Sequence, residues 1–276
     1  MPTNTRQALT AVAVAALLGA CGSSGDVDTS VEPTIRIGIK FDQPGVGYMV
    51  DGHPTGFDVD VATYIAYKLG HSPYAIEWVE AVSPQRERLL ADGEVDMIVA
   101  TYTILDERLP LIDFAGPYIV AGQDLMVLAD DTTIASVDDL AGHTVCSANG
   151  TISIQRLRDK LGNSATIVGR DRLSECATML VNGQVDAMST DDLILAGFAA
   201  TEELFGKVRV VGAPFSAEPL GIGLPNDSHE LCEHINLALE QMVSDGSWLR
   251  FIERHTSGTG YAPRAEVNPP APLTCQ

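Results

Sequence analysis

The sequence predicts an α/β protein built on mainly parallel sheets, and three observations carry that expectation. Short apolar strands alternate with amphipathic stretches at helical spacing from residue 35 to residue 242. A pattern of Leu, Gly, Val and Asp at fixed offsets occurs twice, as Leu90, Gly93, Val95 and Asp96 and again as Leu180, Gly183, Val185 and Asp186. Finally, 276 residues with 45% apolar and 20% charged side chains are the length and composition of a soluble globular chain of about two domains. That composition excludes disorder, collagen and a polytopic membrane protein.

Residues 35–40, Ile-Arg-Ile-Gly-Ile-Lys, alternate as a half-buried strand does and stop at a loop rich in Gly and Pro, 42–47. A helix follows over 57–69, with Val59, Val61, Ala62, Ile65, Ala66 and Leu69 on one face and Gly70 as its stop. A strand at 76–79, a helical stretch at 84–91 ending near Gly93, and an apolar strand at 97–100 continue the alternation. Each copy of the repeated pattern reads as a helix end, a glycine turn and a strand start, which predicts one similar unit in each of two lobes. Residues 125–128 read as a strand leaving the first lobe and 220–224 as one returning to it. Between them come strands at 144–147, 186–190 and 208–211, and a Gly150-Thr151 loop that opens a helix. Beyond Ser228 an amphipathic helix carries Leu231, Ile235, Leu239 and Met242. The expected division is lobe 1 from 34–122 and 220–262, lobe 2 from 123–219, and an aperiodic Pro-rich tail from 263–276 pinned by Cys275.

The N-terminus and the cysteines set the compartment. Residues 1–20 hold one basic residue, Arg6, no acid, and an apolar run at 8–20 that is short for a bilayer span, so they read as a signal peptide. Leu18-Gly19-Ala20-Cys21 resembles a lipoprotein signal, which implies lipid on Cys21, a flexible linker over 21–33, and residence on the extracellular face of the cell membrane. Four cysteines remain in the body, and an even number in an exported chain implies two disulfides with three possible connectivities. Cys146 ends a second-lobe strand and Cys176 lies in the helix leading to Gly183, so the expected pairs are 146–176 and, in the C-terminal part, 232–275. No CxxC or HxxxH spacing occurs, so no metal is expected.

Charge and motifs narrow the function. With 37 acidic and 17 basic residues the chain carries −20, and one unit more once Arg6 is cleaved away, which excludes nucleic acid as a partner. Gly45-x-Gly47 and Gly221-x-Gly223 lack the third glycine of a dinucleotide loop, and no P-loop, HExxH or GxSxG occurs. No catalytic residue and no cofactor is therefore expected. The informative constellation is one of hydroxyls and charges at strand ends. Thr101 and Thr103 close the strand that starts at Met97, Arg108 follows, and the position equivalent to Thr101 in the second repeat is Asp191. A guanidinium clamps a carboxylate and a carboxylate accepts from an ammonium, so the pair suits a zwitterion. Gly150-Thr151 adds backbone N–H groups at a helix start.

Several motifs occur together and in order: Gly56-Phe57-Asp58-Val59-Asp60-Val61-Ala62, Thr101-Tyr102-Thr103-Ile104 with Arg108, Asp113-Phe114-Ala115 with Pro117-Tyr118, Gly150-Thr151, and Val185-Asp186-Ala187 with Asp191. On these the sequence resembles, from about residue 35 to residue 251, the extracytoplasmic solute-binding proteins of polar amino-acid ABC importers, family 3. The resemblance implies a type II periplasmic-binding-protein fold, two α/β lobes joined by two crossing hinge strands and closing over a ligand. It implies that Thr101, Thr103, Arg108 and Thr151 hold the α-carboxylate, that Asp191 holds the α-ammonium, and that Phe57 belongs to the ligand-binding set. Ile152 departs from the hydroxyl or small residue usual after that threonine.

Lys40 and Arg86 match two basic positions of the members that bind glutamate or aspartate, and a desolvated second carboxylate needs such compensation. The phrases Ile-Gly-Ile-Lys-Phe-Asp-Gln-Pro-Gly and Ile98-Val-Ala-Thr-Tyr-Thr-Ile104 look like the glutamate-import lipoproteins of high-GC Gram-positive bacteria. The implied function is capture of L-glutamate, with aspartate or asparagine as further ligands, and delivery to the ABC permease subunits by a lipid-anchored monomer. The alternatives are binding of glutamine or another polar amino acid, an amino-acid sensor, and an enzyme resembling a cyclohexadienyl dehydratase.

Overall fold

Two five-stranded sheets organise the chain in the computed structural model, which describes residue 1 and residues 33–275. The signal segment, Cys21 and the linker through residue 32 lie outside the described residues. The first stretch of chain runs β1 (Ile35–Ile39), β2 (Asp42–Gln43), β3 (Gly47–Val50), β4 (His53–Thr55), α1 (Phe57–Lys68), β5 (Ile76–Glu80), α2 (Arg86–Ala91), β6 (Met97–Thr103) and β7 (Asp113–Ala121). The middle runs β8 (Gln123–Leu128), β9 (Thr144–Ala148), α3 (Ile152–Leu161), β10 (Thr166–Arg170), α4 (Leu173–Val181), β11 (Ala187–Asp191), α5 (Asp192–Ala199) and β12 (Val208–Val210). The chain then closes with β13 (Glu218–Leu224), α6 (His229–Ser244) and α7 (Ser247–Thr256).

The first sheet has the order β5-β1-β6-β13-β7 and the second β10-β9-β11-β8-β12. Strands joined through helices pair in parallel, β1 with β5 and β6 in one sheet and β9 with β10 and β11 in the other. The sheets are nevertheless mixed rather than mainly parallel, because the chain changes sheet twice. β13 returns between β6 and β7 and is antiparallel to both, while β8 enters the second sheet antiparallel to β11 and β12. Only Gly122 separates β7 from β8, so the crossing is as short as a chain allows.

The repeated pattern is a structural repeat. In each copy a helix ends, a glycine adopts positive φ (63° at Gly93, 66° at Gly183), and a valine buries itself ahead of the new strand. The aspartate then serves the neighbouring parallel strand: Asp96 Oδ2 accepts the N–H of Arg36 at 2.7 Å, and Asp186 Oδ2 accepts that of Thr144 at 2.7 Å. The carboxylates satisfy edge donors that the ladder leaves open, which is why the pattern is kept in both units.

The sequence expectations differ from the structure where elements are short or lack a clean period. The helix expected over 84–91 begins as a tight turn at Ser83–Gln85 and is α-helical only from Arg86. The loop at 42–47 contributes β2 to a small three-stranded sheet with β3 and β4. Periodicity also leaves β7, β10, α5 and α7 unassigned. Eight-residue α5 is apolar on nearly every side, so it offers no amphipathic stripe.

Cys146 on β9 pairs with Cys176 on α4, and Cys232 on α6 pairs with Cys275. Each crosslink contributes about 2–4 kcal/mol. The tail is irregular but bonded along β7. Leu273 N–H donates to Gly116 O at 2.7 Å, the Asn268 side chain bonds both N–H and C=O of Val120 at 2.9 Å, and Arg264 donates to Ala121 O at 2.8 Å.

Candidate functional site

A cavity lies between the two sheets, at the ends of the strands that the repeat defines. From the first sheet come Lys40 beyond β1, Arg86 at the start of α2, Thr101 and Thr103 on β6, and Arg108. The second contributes Thr151 before α3 and Asp191 at the end of β11. The structure thus brings the sequence-predicted residues together except one. Phe57 does not line the cavity: its side chain is fully buried in the core, with its ring 5.8 Å from that of Tyr118. It opens α1 immediately after Gly56, which turns the aromatic side chain inward.

The neighbour of Phe57 in the same motif does not line the cavity either, but it bonds a residue that does. Asp58 is fully buried and accepts from Tyr118 OH at 2.8 Å and from Thr101 N–H at 3.0 Å. Burial pushes its carboxyl up to about 7, against the pull of these two donors. The bond holds Thr101 at φ 47°, a conformation a β-branched residue rarely adopts. Its hydroxyl donates to Ala100 O at 2.8 Å and contacts Gln43 Oε1 at 3.4 Å.

Tyr102, between the two threonines, organises the cations. Its ring lies 4.9 Å from the Arg86 guanidinium carbon and 4.8 Å from that of Arg108, and its hydroxyl donates to Glu87 at 2.6 Å. Both guanidiniums therefore stack on one aromatic face system, a contact that favours arginine over lysine. Arg108 donates to Thr103 O at 2.7 Å and approaches Glu87 at 3.6 Å, rather than pairing with its sequence neighbours Asp106 or Glu107. Arg86 is 4% exposed and donates to Ala100 O at 2.6 Å and Ala81 O at 3.4 Å. Among the described residues no carboxylate forms an ion pair with it. Burial, followed by repulsion from Arg108, lowers its proton affinity.

The second lobe supplies the opposite sign. Asp191 is 4% exposed and its Oδ1 is buried with no hydrogen-bond partner among the described residues. Burial pushes its carboxyl well above the usual range, and the neighbouring charges of Glu218 and Asp192 push it further. Glu218, fully buried, is itself matched by Arg156 at 2.7 Å and by the Ser216 hydroxyl. Thr151 caps α3, donating to Ala148 O at 2.7 Å and accepting from Ile154 N–H at 3.3 Å. Its hydroxyl is thereby committed to the helix, and the α3 N-terminus faces the cavity with Ile152 and Ser153 on its wall. Ile152 adds an apolar surface where a hydroxyl or small residue is usual.

Gln43, Ser83, Thr190 and Leu173 also line the cavity and were not singled out from the sequence. Gln43 lies on a strand of two residues and Ser83 in a single tight turn, so neither belongs to a periodic segment. Thr190 adjoins Asp191, and adjacency to a predicted strand-end residue was the only signal available.

The arrangement has three cationic side chains on one wall, an unsatisfied acid on the other and hydroxyls between, which suits a small zwitterion. The sequence profile of bacterial extracellular solute-binding proteins, family 3, matches residues 35–258. The chain is 40% identical over 257 residues to the glutamate-binding protein GluB of Corynebacterium efficiens, across 88% of this chain and 86% of that one. It is 34% identical over 248 residues to the ABC transporter glutamine-binding protein GlnH of Bacillus subtilis, across 84% and 89%. Among solved structures, an ancestral arginine-binding protein bound to arginine aligns with a TM-score of 0.74 at 32% identity, covering 82% of this chain and 98% of that one.

Proposed function

We propose that this chain, which belongs to the bacterial extracellular solute-binding proteins of family 3, captures L-glutamate and hands it to an ABC permease. Membership makes it a solute-binding protein rather than an enzyme. Arg108, Thr101, Thr103 and the α3 N-terminus receive the α-carboxylate, and Asp191 receives the α-ammonium. The observation that carries the acidic choice is Arg86: a guanidinium 4% exposed, hydrogen-bonded among the described residues only to carbonyls, and facing the cavity beside Lys40. A buried cation without a counter-charge is costly, and a ligand carboxylate removes the cost. The likeness to GluB supports the same choice, while the likeness to GlnH makes glutamine the competitor to beat.

The test is a calorimetric titration of the delipidated protein with glutamate, aspartate, asparagine and glutamine. Glutamate is expected to bind most tightly. If glutamine bound more tightly, the acidic assignment would fail while amino-acid binding stood.

The same proposal places the protein on the outer face of the membrane through lipid on Cys21, because Leu-Gly-Ala precedes that cysteine. Cys21→Ala is expected to move the protein from the detergent to the aqueous phase on partitioning. A variant that stayed with the detergent would dismiss the anchor.

A further inference from the structure

Asp42 lies on two-residue β2, is 5% exposed, and faces two directions at once. Its Oδ1 lies 3.5 Å from Lys40 Nζ, and Lys40 is 1% exposed and lines the cavity. The same oxygen has no hydrogen-bond partner among the described residues. The other oxygen crosses to the second lobe, where it accepts the N–H of Leu173 at 2.9 Å and meets that of Ser174 at 3.5 Å. These are the first residues of α4, whose N-cap, Arg172, makes no side-chain capping bond. The cap is supplied from the opposite lobe. Arg172 instead reaches back to Glu80 at the end of β5, with N···O distances of 2.6 and 2.8 Å.

We propose that Asp42 is a positioning residue that ties the charge of Lys40 to closure of the two lobes, and so tunes the preference for an acidic over a neutral ligand. It rests on the reading of the preceding subsection that Lys40 and Arg86 face the ligand's second carboxylate. Separating the lobes takes the α4 N–H groups away and leaves Asp42 paired with Lys40 alone, a partner that competes with the ligand. Closing them divides the carboxylate between α4 and Lys40, and releases part of the ammonium's charge to a carboxylate in the cavity. Ligand charge and lobe closure then favour each other, and the coupling is reciprocal. Burial lowers the proton affinity of Lys40 and Asp42 is the largest opposing influence; when Asp42 loses its charge, a ligand carboxylate takes over that part and a neutral amide does not.

Asp42→Asn and Asp42→Ala separate the two roles. Asparagine keeps an oxygen for the Leu173 N–H and removes the charge that competes for Lys40, whereas alanine removes both. Calorimetry with L-glutamate and L-glutamine, thermal melting, and small-angle scattering of the glutamate-saturated proteins are the measurements. Asp42→Asn is expected to raise the ratio of the glutamine Kd to the glutamate Kd about 3- to 10-fold, while scattering shows the same compaction as wild type. Asp42→Ala is expected to weaken both ligands about tenfold and leave the saturated protein less compact. An unchanged Kd ratio in Asp42→Asn overturns the proposal, and that variant decides alone if Asp42→Ala does not melt cooperatively. Wild type that binds neither amino acid overturns this proposal and the preceding one together. Wild type that prefers glutamate, with an unaltered ratio in Asp42→Asn, overturns this one only.

Discussion

Asp191→Ala is expected to abolish binding of every amino acid, not only acidic ones. The ammonium is common to all of them, and without Asp191 it would enter a site whose neighbouring buried carboxylates are already committed, Glu218 to Arg156 and Asp58 to Tyr118 and the Thr101 N–H. Leaving one buried charge unpaired costs about 3–5 kcal/mol, a loss of two to more than three orders of magnitude in affinity. Arg108→Ala should be equally general, since on the proposed reading it removes the partner of the α-carboxylate.

The same residue links binding to pH. Burial raises the Asp191 carboxyl well above its ordinary range, so the protein without an amino acid holds a proton there at pH values where an exposed aspartate is ionised. An ammonium beside it favours the ionised form and expels that proton. Affinity should therefore rise with pH until the free carboxyl is ionised, and fall as acid protonates it. Titration in phosphate and in Tris, whose ionisation enthalpies differ, reads the released proton directly. Identical heats in the two buffers would show that the ammonium lands elsewhere.

Arg86→Ala is expected to discriminate between ligands. Glutamate loses an ionic partner in a desolvated pocket, whereas the glutamine amide loses at most a hydrogen bond, so glutamate should weaken by about 100-fold or more and glutamine by about tenfold. Lys40→Ala should shift the ratio the same way and less, because Asp42 already balances part of that ammonium. Melting curves for both variants check that the fold survives. Equal weakening of the two ligands in Arg86→Ala would mean that the guanidinium only supports the cavity wall, through Ala81, Ala100 and the Tyr102 ring.

Much of the architecture was legible in sequence because it is written locally. The alternation of residues 35–40 and the 3.6-residue period of residues 57–69 each decide which face of one element is buried. The twice-occurring Leu, Gly, Val and Asp pattern revealed two equivalent units, since a tight glycine turn and a carboxylate bonding the next strand's N–H act within a short reach. Strand ends in such units place Thr101 and Asp191 at comparable positions, so the heart of the site followed from the repeat. The disulfide pairs followed from lobe membership in the same way.

What tertiary structure decided are the matters that depend on a second element's position. Phe57 and Asp58 are adjacent, yet one packs in the core and the other holds Thr101, because Tyr118 meets both. Arg86 and Arg108 share the ring of Tyr102, a contact set by how α2 lies on β6. The mixed sheets arose from two crossings between lobes, and β2, two residues long, has no period at all. Asp42 caps a helix that begins 131 residues later. Periodicity reports the direction of a side chain relative to its own backbone, whereas hydrogen bonds and desolvation depend on what the rest of the chain brings to that side. For that reason the sequence by itself determined the two repeated units and the hydroxyls and charges at their strand ends, and only the folded chain determined which of those charges are left without a partner.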